Sequence, residues 1–454
     1  MSKAFAISIV QTLRQHGFQA YLAGGCVRDL LLQRAPADFD VATSARPEQV
    51  MEIFPDTYAV GAQFGVVLVP LPDRDSLVED TEVVSKKHAI EVATFRSDHG
   101  YSDGRHPDEV RFSNDPREDV ARRDFTINGM MLDPGSREAP GEVLDYVGGR
   151  TDLDAGIIRA IGDPEQRFAE DKLRMLRAVR FAARFEYAIE PETLAAIQWL
   201  AVETRVVSRE RVREELTKML TEGRARRAFQ LLDETGLLKE ILPEVSRMKN
   251  VEQPAEFHPE GDVFTHTLLA LDYLPHPCPA TLAWGTLLHD VGKPSTFRVA
   301  PDRIRFDGHV EVGVKIAEEI CSRLRFSNHD AEQVLALIDN HMRFGHVSRM
   351  KESTLKRFMR LAGFEEHLAL HRADSLASHG ILTTYEFLRE KLKETPVENF
   401  RPQPLITGND LIEAGYAPGP RFSEILGAVE DGQLEGQFRS REAAMRFVES
   451  RFPR

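Results

Sequence analysis

Cysteine is scarce in this chain, with three among 454 residues, and Cys26, Cys278 and Cys321 stand in no CxxC pair. An odd, scattered set argues against a disulfide framework or a zinc knuckle and makes a reducing cytoplasm the expected setting. Long apolar runs are missing too. No segment approaches the roughly 20 residues that span a bilayer, and the N-terminus lacks the basic and apolar blocks of a signal peptide. Positive charge is in deficit, since 72 acidic residues face 58 basic ones and the net charge is −14. Phosphate neutralisation dominates nucleic-acid affinity, so this balance disfavours nonspecific binding over the whole surface. The basic residues are unevenly spread. Arg167, Lys172, Arg174, Arg177, Arg180 and Arg184 crowd one segment, and a second cluster runs from Arg205 to Arg227. A local basic stripe on an acidic body is one expectation; i,i+4 pairing with Glu170, Glu210, Glu214 and Glu215 is the other.

Two adjoining segments carry chemistry. FQAYLA reads as a short strand, Gly24-Gly25 permits a tight turn, and Cys26 to Leu32 has the apolar spacing of a helix. Backbone N–H groups at that helix start face an anion. In DFDVAT, Asp38 and Asp40 lie two apart on a strand, so both carboxylates point to one face, roughly 6.5–7 Å apart along the chain. Such a pair suits one or two Mg²⁺ ions, which bridge triphosphate oxygens and lower the pKa of an attacking hydroxyl. Glu91, on the alternating segment AIEVATF, is a third acid for this cluster.

Five segments in order, GGCVRDLLLQRAPADFDVAT, EVATFR, RRDFTINGM, DYVGGRTDL and RFAEDKLRMLRAVRFAARF, resemble successive motifs of the class II tRNA nucleotidyltransferase and bacterial poly(A) polymerase superfamily. Gly129 departs from the pattern, because many relatives have Ala there. The resemblance implies an α+β chain of four parts: a head with a mixed β-sheet over residues 1–148, a helical neck and body over 149–250, a His-Asp helical domain over 255–390, and a helical tail over 400–454. It implies template-independent addition of CCA to tRNA from CTP and ATP. Asp38 and Asp40 then hold Mg²⁺ with Glu91 as helper, while Gly24, Gly25 and Arg28 lie near the triphosphate. By the same analogy Arg123 lies near phosphate, Asp124 and Asn128 near the sugar, and Arg177 within the nucleotide-binding set. A poly(A) polymerase or an enzyme adding only the terminal A shares almost every motif.

Asp171 and Arg174 are three apart in a strongly helical stretch, which predicts side chains meeting on one face. Cytosine and adenine both present an exocyclic amine beside a ring-nitrogen acceptor. An aspartate accepts from the amine while an arginine donates to the ring nitrogen. Guanine and uracil present the reverse and leave buried groups mismatched. The resemblance assigns these two positions to base reading. VSRERVREELTKML resembles a bracing helix, with Glu210 and Arg211 as polar positions and Leu216, Met219 and Leu220 as its packing face. In RRDFTINGM, Phe125, Ile127, Met130 and Met131 read as buried strand residues. Ser97 to Phe112 reads as a mobile loop, and in this superfamily a comparable loop accompanies the switch from C to A addition.

Further on, His266, His289, Asp290, His309, His341 and Asp374 lie on segments that mostly read as helices. Imidazole nitrogens and carboxylate oxygens suit one or two divalent ions with water completing the shell. Their order resembles the His-Asp metal phosphohydrolase domain, which implies attack of a metal-bound hydroxide on a phosphoester, with Lys293 near the substrate phosphate. In some tRNA nucleotidyltransferases such a domain hydrolyses 2′,3′-cyclic phosphates. The competing reading from another class is a metal phosphohydrolase whose head binds RNA; intact Asp38, Asp40, Asp171 and Arg174 disfavour it. The implied partners are tRNA, CTP and ATP, without a membrane or an obligate protein partner.

Overall fold

The computed structural model describes residues 2–59, 65–71, 89–101, 108–135, 141–394, 396, 400 and 402–453. The fold is α+β, and the chain divides into two compact units. The first takes residues 1–219 with 227–241, the second residues 220–226 with 242–454.

The first unit is built on a six-stranded sheet. Its strands are β1 (Ala20–Ala23), β2 (Asp40–Thr43), β3 (Val66–Pro70), β4 (Ala89–Thr94), β7 (Met130–Asp133) and β8 (Glu142–Asp145), in the order β3-β4-β2-β1-β7-β8. Pairing of β2 with β4 is parallel and the other neighbours are antiparallel, which makes the sheet mixed. Alternation explains β4: Ile90, Val92 and Thr94 are buried, while Ala89, Glu91 and Ala93 occupy the other, less buried face. The Ser2–Gln15 helix buries Ala6, Ile9, Val10 and Leu13.

Three local expectations are corrected. The Ser97–Phe112 segment is not simply a loop, because β5 (Arg96–His99) and β6 (Glu109–Phe112) pair as an antiparallel hairpin. The residues between the strands at 102–107 lie outside the described residues. Phe125 and Ile127 are fully buried as expected, yet Thr126–Asn128 forms a 3-10 turn and the strand starts only at Met130. Asp124 closes that turn by accepting from Phe125 N–H at 2.8 Å and from the Asn128 amide at 3.0 Å. Buried residues spaced two apart mimic a strand there. Lastly, β2 begins at Asp40, and Asp38 stands exposed just before it.

The second unit is helical among the described residues, apart from a small hairpin of Arg298–Val299 with Ile304–Arg305. Five helices bring its polar centre together: Val263–Asp272, Ala280–Leu288, His309–Arg323, Asn328–Asn340 and Phe364–Ala377. A Cβ on Gly292 would lie 2.1 Å from the His309 carbonyl oxygen and 2.6 Å from the Gly313 nitrogen. Only glycine permits this backbone crossing, which sets His309 beside the loop carrying Asp290. Toward the C-terminus, Leu411, Tyr416, Ile425, Val448 and Phe452 form a separate core. Arg357 ties the Glu352–Met359 helix to Glu430 and Asp431 of the Arg421–Leu434 helix, at 2.7 and 2.6 Å. No described helix is long and apolar enough to cross a membrane.

Candidate functional site

The first unit holds a cleft of about 600 Å³ lined by nine arginines and five carboxylates. Gly24, Gly25, Arg28, Asp38, Asp40, Glu91, Arg123, Asp124, Asn128, Asp171, Arg174, Arg177 and Arg211 all border it, so the sequence-predicted residues converge on one place. Asp40 and Glu91 are direct partners in the parallel β2–β4 register and share a face of the sheet. Asp38, Asp40 and Glu91 offer only oxygen, the donor set of a hard divalent cation. Among the described residues they are not drawn into a three-carboxylate group within 4.8 Å.

Gly24 has φ +75°, and a Cβ there would lie 3.0 Å from Arg123 Nη1 and 3.9 Å from Asp40 Oδ2. The missing side chain leaves a cradle between the cation and the acid. Arg123 is held from behind by Asp119, whose two oxygens take Arg122 at 2.6 Å and Arg123 at 2.8 Å. Asp119 is fully buried; burial opposes its charge, but the two guanidinium groups outweigh that and hold its carboxyl below the usual range. Sequence reading missed this residue, although its i,i+3 and i,i+4 spacing to the two arginines is a visible signal.

Arg28 lies buried. It pairs with Asp29 at 2.7 Å and donates to Asn128 at 2.5 Å. Asn128 donates to Asp124, and Asp124 Oδ2 accepts from Arg177 Nε and Nη2 at 2.9 and 2.7 Å. Burial alone would raise the Asp124 carboxyl, but Arg177 and the Asn128 amide bring it down to about 2. The Phe181 ring lies under Arg28, Arg177 and Arg180, 5.3, 5.2 and 4.4 Å from its centroid. These contacts preorganise the cleft floor.

The expectation that Asp171 and Arg174 meet on one helical face is corrected. Asp171 has φ −146° and ψ 104° and separates the Pro164–Glu170 helix from the Leu173–Phe185 helix. Its Oδ1 accepts from Leu173 N–H at 3.1 Å and its Oδ2 from Arg211 at 2.7 Å. Arg174 instead pairs with Glu170 at 2.6 Å and donates to the Arg122 carbonyl at 3.0 Å. Both side chains reach the cleft, each from its own support. Arg211 and Glu215, four apart on the Arg209–Thr221 helix, do the bracing, and Arg180 pairs with Glu215 at 2.6 Å. Glu210, expected as a polar position of that helix, is exposed. The arginine segment is ion-paired and cleft-lining at once: Arg174–Glu170 is an expected i,i+4 pair, whereas Arg177 and Arg180 pair with Asp124 and Glu215, 53 and 35 residues away.

The second unit has a cavity of about 540 Å³ beside His289, Asp290, Lys293, His309, His341 and Asp374. His266, His289 and Asp374 form one group of ligand atoms, and Asp290, His309 and His341 another, each within 4.8 Å. His266 Nε2 lies 3.0 Å from Asp374, and His289 Nε2 lies 3.2 Å from Asp290. His309 and His341 approach Asp290 Oδ1 at 3.8 and 3.9 Å and each other at 3.4 Å. Buried Nε2 atoms of His266 and His289 make no hydrogen bond of good geometry, and their 3.0 and 3.2 Å approaches to carboxylates are ion-pair proximities only. Orphaned nitrogens beside two carboxylates fit divalent ions. Lys293 pairs with Asp290 and donates to Gln253, both at 2.7 Å. Burial holds the His341 ring down, to about 4, whereas the Asp374 and Glu260 carboxylates outweigh burial at His266 and hold that ring up, to about 9.

Comparisons with known proteins agree with this division. Residues 20–159 match the poly A polymerase head domain, residues 186–249 the probable RNA and SrmB-binding site of polymerase A, and residues 263–373 the HD domain. The CCA-adding enzyme of Geobacillus stearothermophilus is 44% identical over 232 residues, 51% of this chain and 53% of that protein. The chain therefore spans about half the length of this and other curated relatives it matches. The CCA-adding enzyme of Anoxybacillus flavithermus is 30% identical over 438 residues, 95% of this chain and 93% of that one. The crystal structure of the Bacillus stearothermophilus CCA-adding enzyme in complex with CTP superposes with a TM-score of 0.72 at 28% identity, covering 98% of this chain and 97% of that one. With the head, RNA-binding and HD segments matched in order, the chain belongs to the CCA-adding enzyme family.

Proposed function

We propose that this chain adds CCA to the 3′ end of tRNA from CTP and ATP, with the four-part division given above as its domain plan. One observation carries the reading: the Asp40–Glu91 pair, the Gly24 cradle and the braced Asp171 and Arg174 border a single cleft. Asp38 and Asp40 would hold Mg²⁺ with Glu91 as helper. Bound there, the ion lowers the pKa of the attacking hydroxyl and neutralises the leaving pyrophosphate.

The chain's own residues do the positioning. Arg123 presents Nη1 beside the Gly24 turn, where a triphosphate meets a backbone without a Cβ. Asp124, Asn128 and Arg28 form the strut under the sugar position. Asp171 accepts from the exocyclic amine of cytosine or adenine, and Arg174 donates to the adjacent ring nitrogen, so the protein itself serves as template. Excess positive charge along the arginine helix suits the triphosphate and the tRNA end together. We assign the reaction to the cytoplasm.

The test uses tRNA transcripts ending before CCA, after C and after CC, with CTP and ATP supplied separately and together, and the products sequenced. CCA addition followed by a stop is expected. Long A tails, or A on the CC-ended transcript alone, would replace the reading with a poly(A) polymerase or an A-adding enzyme.

A second reading concerns the other unit. The six converging ligands and Lys293 support a two-ion phosphohydrolase acting on RNA-end phosphoesters such as 2′,3′-cyclic phosphates. Opening of a 2′,3′-cyclic phosphate by water to a terminal phosphomonoester, abolished by Asp290→Asn and retained in Asp40→Ala, is expected.

A further inference from the structure

The four histidines of the second site are held in two different ways. His289, His309 and His341 direct Nδ1 to the carbonyls of Thr286, Phe306 and Ile338, at 2.8, 2.9 and 2.6 Å. His266 directs Nδ1 to a carboxylate, Glu260 Oε1, at 2.6 Å. The same oxygen meets Nδ1 of His258 at 2.9 Å. Glu260 is 7% exposed at its side chain, and its Oε2 is buried without a hydrogen-bond partner. Keeping a half-satisfied buried anion is unfavourable, so its place behind a ligand histidine asks for a use.

His258, Glu260 and His266 also lie close enough to be a metal group of their own. The spacing argues otherwise. Separations of 2.6 and 2.9 Å are hydrogen-bond lengths, whereas ligand atoms on one tetrahedral ion stand about 3.3 Å apart. His266 also turns its other nitrogen, Nε2, toward Asp374 and Asp290.

We propose that Glu260 is a positioning carboxylate that makes the His266–His289–Asp374 half the tighter of two unequal metal positions. This rests on the two-ion reading of that site. A carboxylate behind an imidazole fixes the tautomer that aims Nε2 at the ion and also raises the ring's basicity; a carbonyl does mainly the first. Asp374 adds a carboxylate in the same half. In the other half, Asp290 is shared with Lys293 at 2.7 Å, which draws off part of its charge.

The experiment is a Co²⁺ titration of the metal-depleted full chain, followed by visible absorption, which reports nitrogen-ligated ions above the all-oxygen acids of the first cleft. Two steps at least about tenfold apart are expected. Glu260→Gln is expected to weaken the tighter step about 10–100-fold and spare the weaker one. A wild-type chain without a saturable signal overturns the two-ion reading itself. Two equal steps, a single step, or an unchanged tighter step in a folded Gln variant overturns the proposal while the metal site stands. Should the Gln variant not fold, His258→Ala decides: Glu260 then serves His266 alone, so the tighter step strengthens while the weaker one is unchanged, and no strengthening overturns the proposal.

Discussion

Arg211 donates to Asp171 Oδ2 at 2.7 Å across 40 residues of sequence. Asp171 sits at a break between helices, so its carboxylate is oriented by this bond and by the Leu173 N–H. Arg211→Ala leaves it free to turn. Preference for CTP and ATP over UTP and GTP is then expected to fall about tenfold, roughly the value of one oriented hydrogen bond. Arg174→Ala should act in the same direction without unfolding the chain. Single-nucleotide addition with each of the four triphosphates checks both, and unchanged selectivity in folded variants defeats the protein-template argument.

Asp40 faces Glu91 in the register of two parallel strands. Asp40→Ala is expected to lower nucleotide addition by at least about a thousandfold, the upper range for loss of one charge-stabilising group. Co²⁺ binding by the second unit should persist, because its ligands lie in a different compact unit. Retained addition would remove the assignment of Asp40 to the metal.

Gly129 packs against the tips of Val147 and Ile161, which any side chain there would have to displace. A Cβ would meet Val147 Cγ2 at 2.8 Å and Ile161 Cδ1 at 3.0 Å. Gly129→Ala is expected to destabilise the first unit by about 1–3 kcal/mol, the range for overpacking a core. Thermal unfolding of the variant measures it; an unchanged transition means that Val147 and Ile161 shift freely.

Asp124 titrates lower in the fold, at about 2, than a free carboxyl near 3.8, because Arg177 and Asn128 outweigh its burial. A depressed carboxyl adds stability that is present above the unfolded value and lost as pH falls through the folded one. The contribution is about 2 kcal/mol, fading between about pH 4 and pH 2. Denaturant titrations of wild type and Asp124→Asn across that window should converge at the acid end. A gap that stays constant with pH would show that the carboxylate's charge is not what stabilises the strut.

Gly292→Ala drives a Cβ into the His309 carbonyl and the Gly313 nitrogen. Backbone cannot rotate away as a side-chain tip can, so the crossing opens and His309 leaves Asp290. Loss of one of two Co²⁺ equivalents, with the protein still folded, is the expected outcome; full retention would mean that the crossing does not set the metal distance.

Much of this was legible in the sequence because local pattern and chemistry coincide. The Gly24-Gly25 turn and the alternation around Glu91 lie where spacing puts them, and the six side chains singled out by the resemblance to the His-Asp domain come together in two groups. Errors fell where a polar side chain overrides periodicity. Asp171 accepts a local N–H and so ends a helix that the apolar spacing would have continued, and Asp124 folds Phe125 to Asn128 into a turn that alternation reads as a strand. Supports such as Glu215 under Arg180 and Glu260 behind His266 were missed for different reasons. The first is 35 residues from its partner, and the second lies in a loop whose Asp and Glu residues look alike until the fold chooses one.

The parallel register that sets Asp40 against Glu91 carries one more consequence. Side chains alternate along a strand, so a slip of one residue would turn Glu91 into the apolar layer and bring Val92 to the cleft. A misaligned sheet would therefore bury the Glu91 carboxylate and remove it from the cleft in the same event. One strand register thus fixes both the apolar layer beneath the sheet and the pair of acids above it.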